Sequence, residues 1–122
     1  MLDLRRARDL SVGDASSATP LAELDYWWSQ CMPYFYEGAH HRIVCVQEAR
    51  RRRYGACGDA AAHLLAAAAR QGLRAQLCVE EPASLPTYRH VRVYVPTTGD
   101  TWDPYAALRP SIPATCERLI DL

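Results

Sequence analysis

Lysine is absent from this chain: all 14 basic residues are arginine, and 14 acidic residues balance them to a formal net charge of zero. Without a basic excess there is no general electrostatic footprint for nucleic acid, which argues against that class of partner. The abundance of alanine beside the arginine reads as a composition bias rather than a functional choice. Long apolar runs are also missing. The most apolar stretch, residues 60–69, is mostly alanine and is about half the roughly 20 residues that a membrane-spanning helix requires. The opening Met1-Leu2-Asp3-Leu4-Arg5-Arg6 mixes acid and base and has no apolar segment of the signal-peptide kind. No Cys-x-x-Cys pair occurs among the five cysteines at 31, 45, 57, 78 and 116, so a thiolate zinc site is not expected. An odd cysteine count without a secretory signal makes reduced thiols in a cytoplasm the expected state. Internal repeats and low-complexity segments are absent too.

What remains is 122 residues, 49% hydrophobic and 23% charged, a composition ordinary for one globular domain. A chain of this length buries roughly two-thirds of its unfolded surface, enough for a single core. Residues 1–18 pass from a charged piece into Ser11-Val12-Gly13-Asp14-Ala15-Ser16-Ser17, a loop composition that reads as a mobile leader to a domain over 19–122. Thr19-Pro20 has the form of an N-cap with proline in the first turn. Leu21, Leu24, Trp28 and Met32 then recur at helical spacing over 20–32, until Pro33 and the aromatic link Tyr34-Phe35-Tyr36. Over 39–53 the signals conflict: Ile43-Val44-Cys45-Val46 has strand composition, whereas Gln47-Glu48-Ala49-Arg50 continues like a helix, which is the reading adopted.

Residues 57–71 carry the plainest helix signal, built of Ala, Leu, Arg and Gln with Gly72 at the expected left-handed cap. So much alanine makes a thin helix that packs close to its neighbours, hence a central one. Leu73 to Glu80 alternates with Ala75, Leu77 and Val79 on one face. Tyr88 to Val95 alternates with Val91, Val93 and Val95 on one face and His90, Arg92 and Tyr94 on the other. Thr97-Thr98-Gly99-Asp100 is a turn, and Thr101-Trp102-Asp103 opens a third strand that Pro104 ends. A short closing helix or strand is expected after Cys116. Helices followed by an antiparallel meander define an α+β layout.

Three residues stand out by type and place. Cys57 lies at the first turn of the alanine-rich helix between Gly55 and Gly58, where unpaired backbone N–H groups favour an anion and let a substrate backbone approach. The same amides can hold a developing oxyanion. His90 lies on the strand face away from the valines, and Asp103 one strand later, across a tight turn from it. Nucleophile, base and orienting acid together make a Cys-His-Asp arrangement. Asp59, His63 and the cysteines at 31, 45, 78 and 116 read as structural. His40-His41 has no spacing that supports a metal site. The run Arg50 to Arg53 reads either as a solvated helix face or as an electropositive rim that attracts an acidic partner. The aromatic group Tyr26, Trp27, Trp28, Tyr34, Phe35 and Tyr36 packs the helical half or supplies a partner interface.

Tyr54-Gly55-Ala56-Cys57-Gly58-Asp59-Ala60-Ala61, then Leu64-Leu65, Arg70-Gln71-Gly72-Leu73-Arg74-Ala75, Arg89-His90-Val91-Arg92-Val93-Tyr94-Val95 and Trp102-Asp103-Pro104-Tyr105 follow in order. Over residues 47–106 this resembles the core of the transglutaminase-like superfamily, and most closely its small phage- and prophage-encoded members. The resemblance implies a minimal papain-like, transglutaminase-like domain, with Cys57 as nucleophile, His90 as general base and acid, and Asp103 as orienting acid. It implies acyl transfer or hydrolysis of a peptide or carboxamide bond through a thioester, without cofactor or metal, on a protein or peptide substrate. The side chain that assists the oxyanion is open among Gln47, Gln30 and Trp28, with Gly58, Arg92 and Trp102 as further residues of the cleft. Arg92 stands where relatives carry an aromatic, and Trp102 directly precedes Asp103 where many relatives interpose residues. The alternative reading is a non-catalytic structural or interaction protein on the same fold, such as a phage virion or assembly component. The expected setting is the host cytoplasm or the virion.

Overall fold

The computed structural model describes residues 21–33, 43–80 and 90–106, together with a strand at 118–121. The leader 1–18, the aromatic link after Pro33, His40-His41, the loop with Pro82 and Pro86, and Cys116 lie outside the described residues. In chain order the elements are α1 (Leu21–Ser29), β1 (Met32–Pro33), α2 (Val46–Arg52), β2 (Tyr54–Gly55) and α3 (Cys57–Arg70). They are followed by β3 (Gln76–Glu80), β4 (His90–Val95), β5 (Asp100–Trp102) and β6 (Arg118–Asp121).

The alanine-rich segment forms the central helix for the reason its composition gives. Its buried residues run from Gly58 to Ala68, around most of the helix circumference, and it packs on α1 and on β4. Methyl-sized side chains bring the backbones close, while Leu64 and Leu65 fill the wider gaps among Leu24, Leu77, Val91 and Val93. Truncating a fully buried leucine such as Leu64 to alanine costs about 2–5 kcal/mol. The helix stops at Gly72, whose φ of 73° is the left-handed conformation glycine adopts without penalty. The amide of Gly72 donates to Ala69 and that of Leu73 to Ala68, the paired bonds of a Schellman cap.

The main sheet is antiparallel throughout, in the order β5-β4-β3-β6. Valines 91, 93 and 95 are buried as their alternation predicts. The closing element is a strand, β6, which flanks β3. A second sheet was not foreseen: β1 and β2 form a two-stranded parallel ladder pairing Met32 with Tyr54 and Pro33 with Gly55. Residues 43–45 are not helical, so the helix expected over 39–53 is confined to Val46–Arg52. The architecture is mixed α+β, helices with a small antiparallel sheet on which α3 packs.

One expectation about the cysteines is corrected. Cys31, Cys45 and Cys57 are free thiols, but Cys78, in the middle of β3, is disulfide-bonded. Disulfide partners are chosen by proximity in the fold rather than by local spacing, so no spacing along the chain signals it. The cysteine count therefore carries no argument for a reducing compartment. No described helix is long and apolar enough to cross a membrane.

Candidate active site

Cys57 is the first residue of α3 and half-buried. The chain reaches it through Ala56, whose extended backbone (φ −86°, ψ 165°) turns β2 into the helix. The first amides of a helix have no intrahelical acceptor, so Cys57 and Gly58 present unpaired N–H groups beside the sulfur.

His90 opens β4 and is 6% exposed. The β4–β5 register pairs Val93 with Trp102. Continued one step it sets Asp103 opposite Arg92, so His90 is a diagonal neighbour of Asp103 on the same face, within reach of a side chain. His90 Nε2 donates to Asp103 Oδ2 at 2.9 Å. The other carboxylate oxygen of Asp103 accepts the Tyr105 amide at 3.2 Å, which fixes the carboxylate plane. Burial alone pushes the imidazole toward its neutral form, but hydrogen bonds and charge from Asp103 and Cys57 outweigh it and raise the pKa to about 9. The ring is thus held as an imidazolium between a carboxylate and a thiol.

The wall of the cleft at Cys57 includes Arg92, Trp102, Asp103, Pro104 and Tyr105, with Val91 and Leu64 at its floor. It is too narrow to admit a water molecule. Arg92 is held over this wall by Glu80, 3.2 Å from its Nε. Gly58 lies in the first turn of α3, buried. The other candidates stand elsewhere. Gln47 is exposed on α2, and Gln30 is exposed beyond α1, donating to Ser29. Trp28 is fully buried and lies against Trp27, His63 and Tyr105. Its ring fills the space beside Gly55, which is a core position and not the cleft wall.

Three further residues shape the site without having been singled out for it. Asp59, only 2% exposed, accepts the Val44 amide at 3.0 Å and the Ala56 amide at 2.9 Å. His63, fully buried one helical turn later, donates Nε2 to the Val44 carbonyl at 2.8 Å. Together they clamp both backbone groups of Val44 and pin the approach to Cys57. Only their i, i+4 spacing hinted at a shared face. Tyr105 lines the cleft with its hydroxyl buried and without a partner among the described residues. Burial first, then the charges of Cys31, Asp59 and Cys57, push its phenol well above the ordinary range. Its signal was its place directly after Asp103-Pro104.

Asp25 of α1 lies near enough to Asp103 that burial and this second carboxylate raise its pKa, and its Oδ1 is buried without a partner. Among the described residues no group of three His, Cys, Asp or Glu side chains could hold a metal. No protein-family profile, curated protein or solved structure matches the chain.

Proposed function

We propose that this chain is a cysteine-dependent acyl-transfer enzyme, a peptidase, amidase or transglutaminase, on a minimal papain-like, transglutaminase-like domain. The observation that carries the reading is the His90 imidazole, buried and held between the Cys57 thiol and the Asp103 carboxylate. Cys57 passes its proton to His90, and the thiolate Sγ attacks the carbonyl carbon of a peptide or carboxamide. The amides at the start of α3 take up charge on the carbonyl oxygen. The carbon–nitrogen bond breaks, His90 gives its proton to the leaving amine, and a thioester remains on Cys57. Water or a second amine then attacks the thioester, His90 takes the proton of that nucleophile, and the thiolate is restored. Asp103 keeps the imidazole oriented throughout.

A non-catalytic interaction or assembly protein on the same scaffold is the second reading, and the narrowness of the cleft favours it. The two are separated by iodoacetamide labelling of each free thiol against pH, read by peptide mass spectrometry beside His90→Ala. The enzyme reading expects Cys57 to label fastest, to keep reacting well below the roughly 8.5 of an ordinary thiol, and to lose this in the variant. Ordinary or absent labelling of Cys57 refutes it.

A further inference from the structure

The run Arg50 to Arg53 has no part in the triad, and its surroundings give it one of its own. Glu48 pairs with Arg51 and Arg52 along α2, which neutralises part of the run. Arg50 and Arg53 have no carboxylate partner among the described residues. Arg50 stands 5.4 Å over the Trp27 ring and Arg52 5.7 Å over the Tyr54 ring. Tyr54 is itself exposed and pairs across the parallel ladder with Met32, which is 72% exposed. The Met32 amide donates to the Arg53 carbonyl at 3.1 Å, which holds the backbone of Met32 beside that of Arg53 and Tyr54. Arg53 holds φ 60°, ψ 28°, a left-handed conformation that glycine or asparagine would take with less strain. An arginine at such a place spends stability on a side chain that points its charge outward.

We infer that this surface docks an acidic polypeptide segment bearing an apolar side chain, with Arg50 and Arg53 meeting its carboxylates and Met32 and Tyr54 its apolar group. Charge complementarity argues for that occupant: Arg50 and Arg53, without a carboxylate partner among the described residues, lie in the chain beside the exposed Met32 and Tyr54, while a chain of net charge zero lacks the wider basic field that a nucleic acid needs. Tyr54 precedes Cys57 by three residues, at most about 10 Å of chain. A segment seated here therefore reaches the nucleophile within a few residues, and as far as it names a substrate the inference rests on the enzyme reading above; the docking itself does not.

The test uses the full chain with Cys57→Ala and fluorescence anisotropy of a short fluorescein-labelled peptide alternating Glu and Phe. Comparison probes are the same peptide with Lys for Glu and a single-stranded oligothymidylate. The expected result is binding of the acidic peptide alone, weakened by added salt and weakened at least about tenfold by Arg50→Glu with Arg53→Glu. Arg53→Gly relieves the backbone and so cannot lose binding by misfolding; it too should weaken the peptide. Absence of acidic-peptide binding, equal binding by the charge-reversed variant, or tighter binding of the oligonucleotide overturns the inference. Binding with ordinary Cys57 labelling upholds the docking surface and refutes the enzyme; hyper-reactive Cys57 with no binding does the reverse.

Discussion

Gly55→Ala tests how tightly the approach to the nucleophile is packed. A β-carbon on Gly55 would lie 2.5 Å from Trp28 Cζ3 and 2.6 Å from Cη2, against the roughly 3.5–4.0 Å at which carbons rest. About 1 Å of movement is therefore required. Trp28 is fully buried, with Trp27 at 4.8 Å, His63 at 5.3 Å and Tyr105 at 6.3 Å between ring centroids, so its rigid ring has no free direction. The other side is equally held, since β2 pairs with β1 and the Ala56 amide is bonded to Asp59. Overpacking of this kind costs about 1–3 kcal/mol, and the reduced freedom of the unfolded chain returns about 0.4–1 kcal/mol. A net loss of about 1–2 kcal/mol is expected in the urea midpoint at unchanged slope. Trp28→Phe removes the ring atoms that clash, so the double variant should be less destabilised than the sum of the singles. A Gly55→Ala protein as stable as the parent, or strict additivity in the cycle, would refute the packing argument.

The raised pKa of His90 makes stability depend on pH with a definite sign. The folded value of about 9 lies above the ordinary 6.5, so its contribution is complete below about pH 6.5 and is lost as pH rises through about 9. The urea midpoint should fall across that window in the parent, and His90→Gln should flatten the fall; an unchanged slope in the variant contradicts it. Asp59→Ala leaves the amides of Val44 and Ala56 without their acceptors. At about 1–3 kcal/mol for each donor left without its acceptor the loss is about 2–6 kcal/mol, and hydrogen exchange at those two amides should accelerate. Tyr105→Phe deletes a buried hydroxyl that has no partner among the described residues, so the variant should be about 1 kcal/mol more stable by thermal or urea unfolding; a destabilised variant would place a bond on that hydroxyl.

The parts of this fold that the sequence makes legible are those with local causes. The composition of residues 57–70 and the glycine after it predict α3 and its cap, and the valine alternation predicts β4. The hairpin turn then brings His90 and Asp103 onto one diagonal by register alone. The β1–β2 ladder has two residues per strand, too few for any periodicity to register. Ile43-Val44-Cys45 misleads for a different reason. It has strand composition, but Val44 gives its amide to Asp59 and its carbonyl to His63 instead of to a neighbouring strand. From sequence, Asp59 is an acid that opposes an anion at Cys57. In the fold its carboxylate is occupied by two backbone amides, one at Val44 and one at Ala56, on either side of α2 and β2. One side chain thereby ties both ends of segment 44–56, which carries the arginine run and Tyr54, to the start of α3. The acid that opposes an anion at Cys57 is the one that fixes the chain leading into it, and no pattern shorter than that loop could reveal it.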